Sequence, residues 1–197
     1  MEFHRRENQP SEDRGRPAEE AEPELPRPES EAERVARLHE QVAAGNPLAH
    51  VLLGCMYAEG VGVGRDTPRA ESLLGAAAER GDEVAQYLLG QLILASDEGC
   101  DASTRRAAEL FSRSAERSFP EGEVCLGVLC AVGRGLPRDA TRADELFRRA
   151  VRHAVVEYAD AFTVLEAAGR CVDELGLSEQ ERAEVLGRIN ELVIEAE

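Results

Sequence analysis

The chain contains no lysine and no tryptophan; all 23 of its basic side chains are arginines. Aromatic residues make up only 4% of the 197 positions. The cysteines, Cys55, Cys100, Cys125, Cys130 and Cys171, are odd in number, and no two stand at C-x-x-C spacing. Zinc and dithiol redox sites need that close pairing, so the thiols read as small buried apolar groups in a reducing compartment. No apolar run approaches the roughly 18 residues of a membrane span. The opening "MEFHRRENQPSEDRGRPAEE" lacks the apolar stretch of a signal peptide, so a cytoplasmic protein is expected. Positive charge is also short: 39 acidic residues leave a net charge of −16. Such a chain is repelled by phosphate backbones and anionic lipid surfaces, which excludes nucleic acid and membranes as partners. The arginine pairs in "STRRAAEL" and "LFRRAVRH" sit among acids and read as solvated helix faces.

Catalytic signatures are missing as well. His4, His39, His50 and His153 share no local motif, and no G-x-S-x-G, H-E-x-x-H or EF-hand pattern occurs. No catalytic residue, cofactor or metal site is expected.

Alanine, leucine, glutamate and arginine dominate, and these favour helix. An all-α fold follows. Residues 1–29, with Pro10, Pro17, Pro23, Pro26 and Pro28 among many charges, read as a disordered acidic tail that cannot bury enough apolar surface to fold. Order is expected over 30–197. Ser30 and Glu33 form a capping box for a first helix over 30–44, in which Val35, Leu38 and Val42 make one stripe and Gly45 is the stop.

The chain then repeats itself. Units beginning at Gly45, Gly81 and Ser118 span 45–80, 81–117 and 118–153. Each carries a Leu-Gly pair: Leu53-Gly54, Leu89-Gly90 and Leu126-Gly127. Each has an alanine in its second half, Ala70, Ala107 or Ala143, followed three residues later by Leu73-Leu74, Leu110-Phe111 or Leu146-Phe147. Two apolar stripes per unit at this period mark a helical solenoid. A glycine inside a helix, which costs about 1 kcal/mol against alanine, is explained if a neighbouring helix approaches there. The stretch "GVGVGRD" (60–66) returns two units later as "GRGLPRD" (133–139). No strand precedes it and no lysine accompanies it, so it reads as an interhelical turn and not a phosphate-binding loop. Asp66 and Asp139 fall where the second helix starts, and Val63 and Leu136 are expected to tuck into the core. In the middle unit the turn becomes the irregular "SDEGCDAS".

The joint pattern Ala49, Leu53, Gly54, Tyr57, Gly60, Gly62, Val63, Asp66, Ala70, Ala77, Ala78 and Gly81 resembles the Sel1-like repeat, a relative of the tetratricopeptide repeat. That resemblance implies a right-handed α/α solenoid of helix-turn-helix units used as a non-enzymatic scaffold or adaptor, binding another protein or peptide on its concave face. Cysteine-rich relatives are linked to β-lactam hydrolysis and bridge the two helices of each unit with cysteine pairs, which this chain lacks. A weak hydrolase of that type is the alternative. Residues 154–176 read as a degenerate fourth unit with Phe162-Thr163 in place of Leu-Gly. A capping helix over 178–196 opens with Ser178 and Glu181 and carries Leu186, Ile189 and Val193. By the same analogy the first helix of each unit lines the concave face, with Leu48, Val51 and Cys55, then Val84, Tyr87 and Gln91, then Glu121, Val124 and Val128. Such an apolar groove suits an amphipathic helix of a partner. The alternative is that cap helices or the tail cover it. The alanine-rich, arginine-only usage gives the chain a bacterial character.

Overall fold

The computed structural model describes residues 29–96, 100–158 and 161–196, with the side chains of residues 157 and 158 left out. Residues 1–28 of the expected tail, His4 among them, and the centre of the irregular middle turn lie outside the described residues. Among those described, every regular element is helical: α1 (Glu31–Ala43), α2 (Pro47–Glu59), α3 (Thr67–Glu79), α4 (Glu83–Ser96), α5 (Asp101–Glu116), α6 (Pro120–Val132), α7 (Ala140–Tyr158), α8 (Phe162–Glu174) and α9 (Glu179–Ala196).

Local chemistry sets the helix ends. Ser30 accepts from the Glu33 N–H, and the Glu33 carboxylate accepts from the Ser30 N–H at 2.9 Å. Ser178 and Glu181 repeat the arrangement ahead of α9. In the two matching turns Gly60 and Gly133 end α2 and α6 in the left-handed region, at φ 79° and 72°, where glycine carries no Cβ penalty. Asp66 then accepts from the Arg69 N–H at 3.0 Å, and Asp139 from the Arg142 N–H at 2.9 Å, capping α3 and α7. Val63 and Leu136 pack against the core from these turns. The turn reading of "GVGVGRD" holds.

Helices α2 with α3, α4 with α5, and α6 with α7 form antiparallel hairpins that stack in order as a right-handed α/α solenoid, with α1 laid on α2. The close contact within each hairpin is at the Leu-Gly glycine. A methyl group on Gly90 would stand 2.5 Å from the Phe111 ring, one on Gly127 would stand 2.6 Å from Phe147, and one on Gly54 would stand 2.9 Å from Leu74. Between units, hydrogen bonds reach back to the preceding hairpin. Gln86 and Arg113 both donate to the Ala78 carbonyl at the end of α3, at 3.2 and 3.1 Å. One unit later Arg149 donates to the Ala115 carbonyl at 3.2 Å and to Glu123, which stands where Gln86 stood, at 2.7 Å. The Glu123 carboxylate is fully buried, and His153 Nδ1 lies 2.9 Å from its other oxygen. An unpaired charge there would be strongly destabilising, so both partners are needed.

The fourth unit departs from the expected register. Helix α7 runs on to Tyr158, and Phe162-Thr163 open α8 instead of standing in its middle. Helix α8 has its own glycine, Gly169, at its eighth position, as α2, α4 and α6 do, but meets nothing there within 4 Å. It lies along α6 and reaches α4 across the inner face. Its buried stripe of Val164, Ala167, Ala168, Cys171 and Val172 is small enough to sit close to α6. Arg134 donates to the Leu175 carbonyl at 3.4 Å at one end of this contact. Helix α9 folds back against α7 and α8, tied by the Asp173–Arg182 ion pair and by Arg188 to Asp144 at 2.6 Å.

Overpacking a tight helix contact costs about 1–3 kcal/mol. Gly90→Ala and Gly127→Ala should therefore lower stability by about that amount in urea titration. Gly75→Ala, where a methyl would meet nothing within 4 Å, should leave stability unchanged or raise it. Ser118 holds a φ of 62° at the place where Gly45 and Gly81 begin their units. A left-handed non-glycine residue costs about 1 kcal/mol, so Ser118→Gly should raise the urea midpoint.

Candidate functional site

The first helices touch one another from unit to unit, α2 with α4 and α4 with α6, and the nine residues expected on their concave face divide by exposure. Leu48, 61% exposed, and Val84, 36% exposed, are open to solvent, and Cys55 is half-buried. Gln91 and Glu121 are also half-buried. Val51, Tyr87, Val124 and Val128 are buried. A continuous apolar groove across all three units is therefore not what the chain forms. In the third unit, and around Tyr87 in the second, the inner face is covered. The covering element is α8, read from sequence as a decayed repeat, and not the terminal helix.

The contacts under α8 are specific. Arg170 of α8 donates to the Tyr87 hydroxyl of α4 at 2.8 Å. Gln91 donates to the same hydroxyl at 3.4 Å and to the Cys125 sulfur at 3.5 Å. Cys125 Sγ in turn lies 3.7 Å from the Ala167 carbonyl oxygen. The Tyr87 ring packs between Phe111 and Phe119, with centroids 6.2 and 5.7 Å away. Burial pushes the Tyr87 phenol above its ordinary pKa, and the neighbouring Cys125 adds to this against the opposing effect of Arg170. Burial and then Cys171 push the Cys125 thiol well up, so it carries little thiolate. These groups hold α8 in place and are not poised for chemistry.

The uncovered part lies on α2 and at Val84 near the start of α4. Leu52, which sequence reasoning passed over, is 46% exposed. It directly precedes its Leu-Gly pair, as Leu88 and Cys125 precede theirs, and that alignment was the available signal. Leu52 and Cys55 line a hollow of about 240 Å3 whose other walls include Arg34 and Arg37 of α1, with Glu59 and Val61 at its end. Burial, then Glu59, raises the Cys55 thiol pKa. A larger cleft of about 590 Å3 lies between α7 and α9, lined among others by Arg138, Asp144, Glu181 and Arg188. Its carboxylates are occupied. Hydrogen bonds from Arg188 and Arg148 hold Asp144 below the usual carboxylate range, and those from Ser178 do the same for Glu181.

The histidines are dispersed. His39 Nε2 lies 3.1 Å from the Tyr57 hydroxyl, which also accepts from Arg69 at 3.2 Å. His50 is buried, with Nδ1 2.8 Å from the Asn46 carbonyl oxygen. Among the described residues no group of three His, Cys, Asp or Glu side chains is placed to hold a metal, and no helix is long and apolar enough to cross a membrane. All five cysteines are free thiols.

Stacked antiparallel hairpins with this spacing define a helical repeat protein of the tetratricopeptide-like class. The family model for the Sel1 repeat matches residues 47–82, 84–119 and 125–154, more than half of the chain, and the chain belongs to the Sel1 repeat family. Members of this family typically act as protein–protein interaction scaffolds. The fold is shared with c5321, a protective antigen of uropathogenic Escherichia coli strains displaying an SLR fold. The TM-score is 0.57 and the identity 21%, over 83% of this chain and 42% of that one, so this chain spans less than half of that protein's length. It is also shared with a Sel1 repeat protein from Oxalobacter formigenes at TM-score 0.56 and 21% identity, over 85% of this chain and 80% of that one. No curated protein matches the chain.

A carboxylate whose folded pKa is depressed contributes stability above its unfolded pKa of about 4, which is lost as pH falls through the folded value. Asp144→Asn should therefore lower the midpoint at neutral pH and make the decline of Tm below about pH 4 shallower than in the wild type. Native alkylation followed by mass spectrometry should modify exposed Cys100 first and Cys55 more slowly, leaving Cys125, Cys130 and Cys171 protected until urea is added.

Proposed function

We propose that this chain is a non-enzymatic adaptor, bacterial and cytoplasmic in character, that captures a helix or peptide of another protein on the inner face of its first unit. The observation that carries this reading is the exposure of Leu48, Leu52 and Val84 at the end of the first-helix layer that α8 leaves uncovered. Exposed apolar side chains grouped on a solenoid's inner layer are what a partner's amphipathic helix would bury. The buried residues Tyr87, Val124 and Val128 belong to the seat of α8 in this reading and contact no partner while α8 is in place. The hydrolase alternative draws no support from the structure, since the thiols are unbridged and the carboxylates of the larger cleft are engaged by arginine, by a helix cap or, at Glu184, by Gln180.

A photo-crosslinking amino acid at position 48 should link the chain to a discrete partner in native lysate. The same group at position 156, which is 82% exposed on α7, should not. Equal, diffuse crosslinking at both positions would overturn the reading.

A further inference from the structure

We propose that the hollow between α1 and α2 is a second seat for a helix of α8's chemistry: an acidic amphipathic helix, supplied by another protein, with small apolar residues along its inner stripe. This rests on the reading of the inner face given above and names the partner's chemistry. The repeat supplies the first argument. Cys125, the residue ahead of the third Leu-Gly pair, is fully covered by α8, whereas Leu52, the residue at the same place in the first unit, is 46% exposed. The same surface is thus filled at one end of the array and open at the other. The two ends are continuous, because α8 reaches α4 through Arg170 and Tyr87, and α4 packs next to α2.

Charge supplies the second argument. Over Phe162–Glu174, α8 carries Glu166, Asp173 and Glu174 against the single Arg170. The wall of the open hollow that α1 contributes bears Arg34 and Arg37. Arg37 pairs with exposed Glu29 at 2.8 Å, and Arg34 makes no ion pair among the described residues. An acidic flank on the incoming helix meets these cations, while its apolar stripe meets Leu52 and Cys55.

The probe is a fluorescein-labelled peptide of residues 161–176 carrying Cys171→Ser, titrated into the full chain by fluorescence anisotropy. Saturable binding is expected, weakened about tenfold or more by Leu52→Glu, as for a contact at the centre of an interface. Arg34→Glu with Arg37→Glu should weaken it and flatten its salt dependence. Val156→Glu should leave it unchanged. The urea midpoints of the variants check that each folds. Absence of saturable binding overturns the proposal, and so does binding that survives Leu52→Glu. If that surviving binding is instead strengthened by Arg170→Ala, the peptide has replaced α8 on α4 and α6; the second seat then fails while capture on the inner face stands. Light scattering of the unmixed protein separates the remaining occupant. A doubled mass that Leu52→Glu returns to monomer would assign the seat to a second copy of this chain.

Discussion

The fold depends on one missing atom per unit. Where the first helix carries glycine after leucine, the second helix brings Phe111, Phe147 or Leu74 to within van der Waals distance of bare backbone. That approach sets the spacing of each hairpin and therefore the surface each hairpin offers to the next. Dispersion and apolar burial over this contact exceed the helix-propensity cost of the glycine. The buried Glu123 operates at the next level by tying Arg149 and His153 of α7 to α6 within the third hairpin, while Arg149 also reaches back to the Ala115 carbonyl of the second.

The fourth hairpin is not held by this contact. Gly169, at the corresponding place in α8, meets nothing within 4 Å, and α8 packs on α6 and α4. The outcome is an array with unlike ends. At one end the inner face is filled by an acidic helix of the chain itself. At the other it shows leucine and valine beside two arginines of α1. The functional proposal follows from this asymmetry more than from membership of the family.

Much of this was legible in the sequence, and the legible part is local or periodic. The Leu-Gly pairs, the paired turns and both capping boxes depend on residues a few positions apart, and each is found as read. The seat of α8 was not legible. A helix that lies across non-neighbouring helices is placed by shape, and its sequence stripe looks the same whether it packs on α7 or on α6. Hence Tyr87, Val124 and Val128 carried the right helical register for the inner face, yet are buried. Glu123 was read past for a related reason: glutamate in a helix ordinarily points to water. Only its alignment with His50 and Gln86, both also buried, marks it as an interior position.

The inward turn of α8 has a consequence for how such an array evolves. Solenoids lengthen by duplicating a unit and adding it to an open end. Here the flank of α7 that would receive another hairpin is held by α9. New units can enter upstream of α8 without disturbing that end. Each insertion would carry the self-occupied end further from the arginine-lined one and lengthen the inner layer between them, while the termination stayed the same.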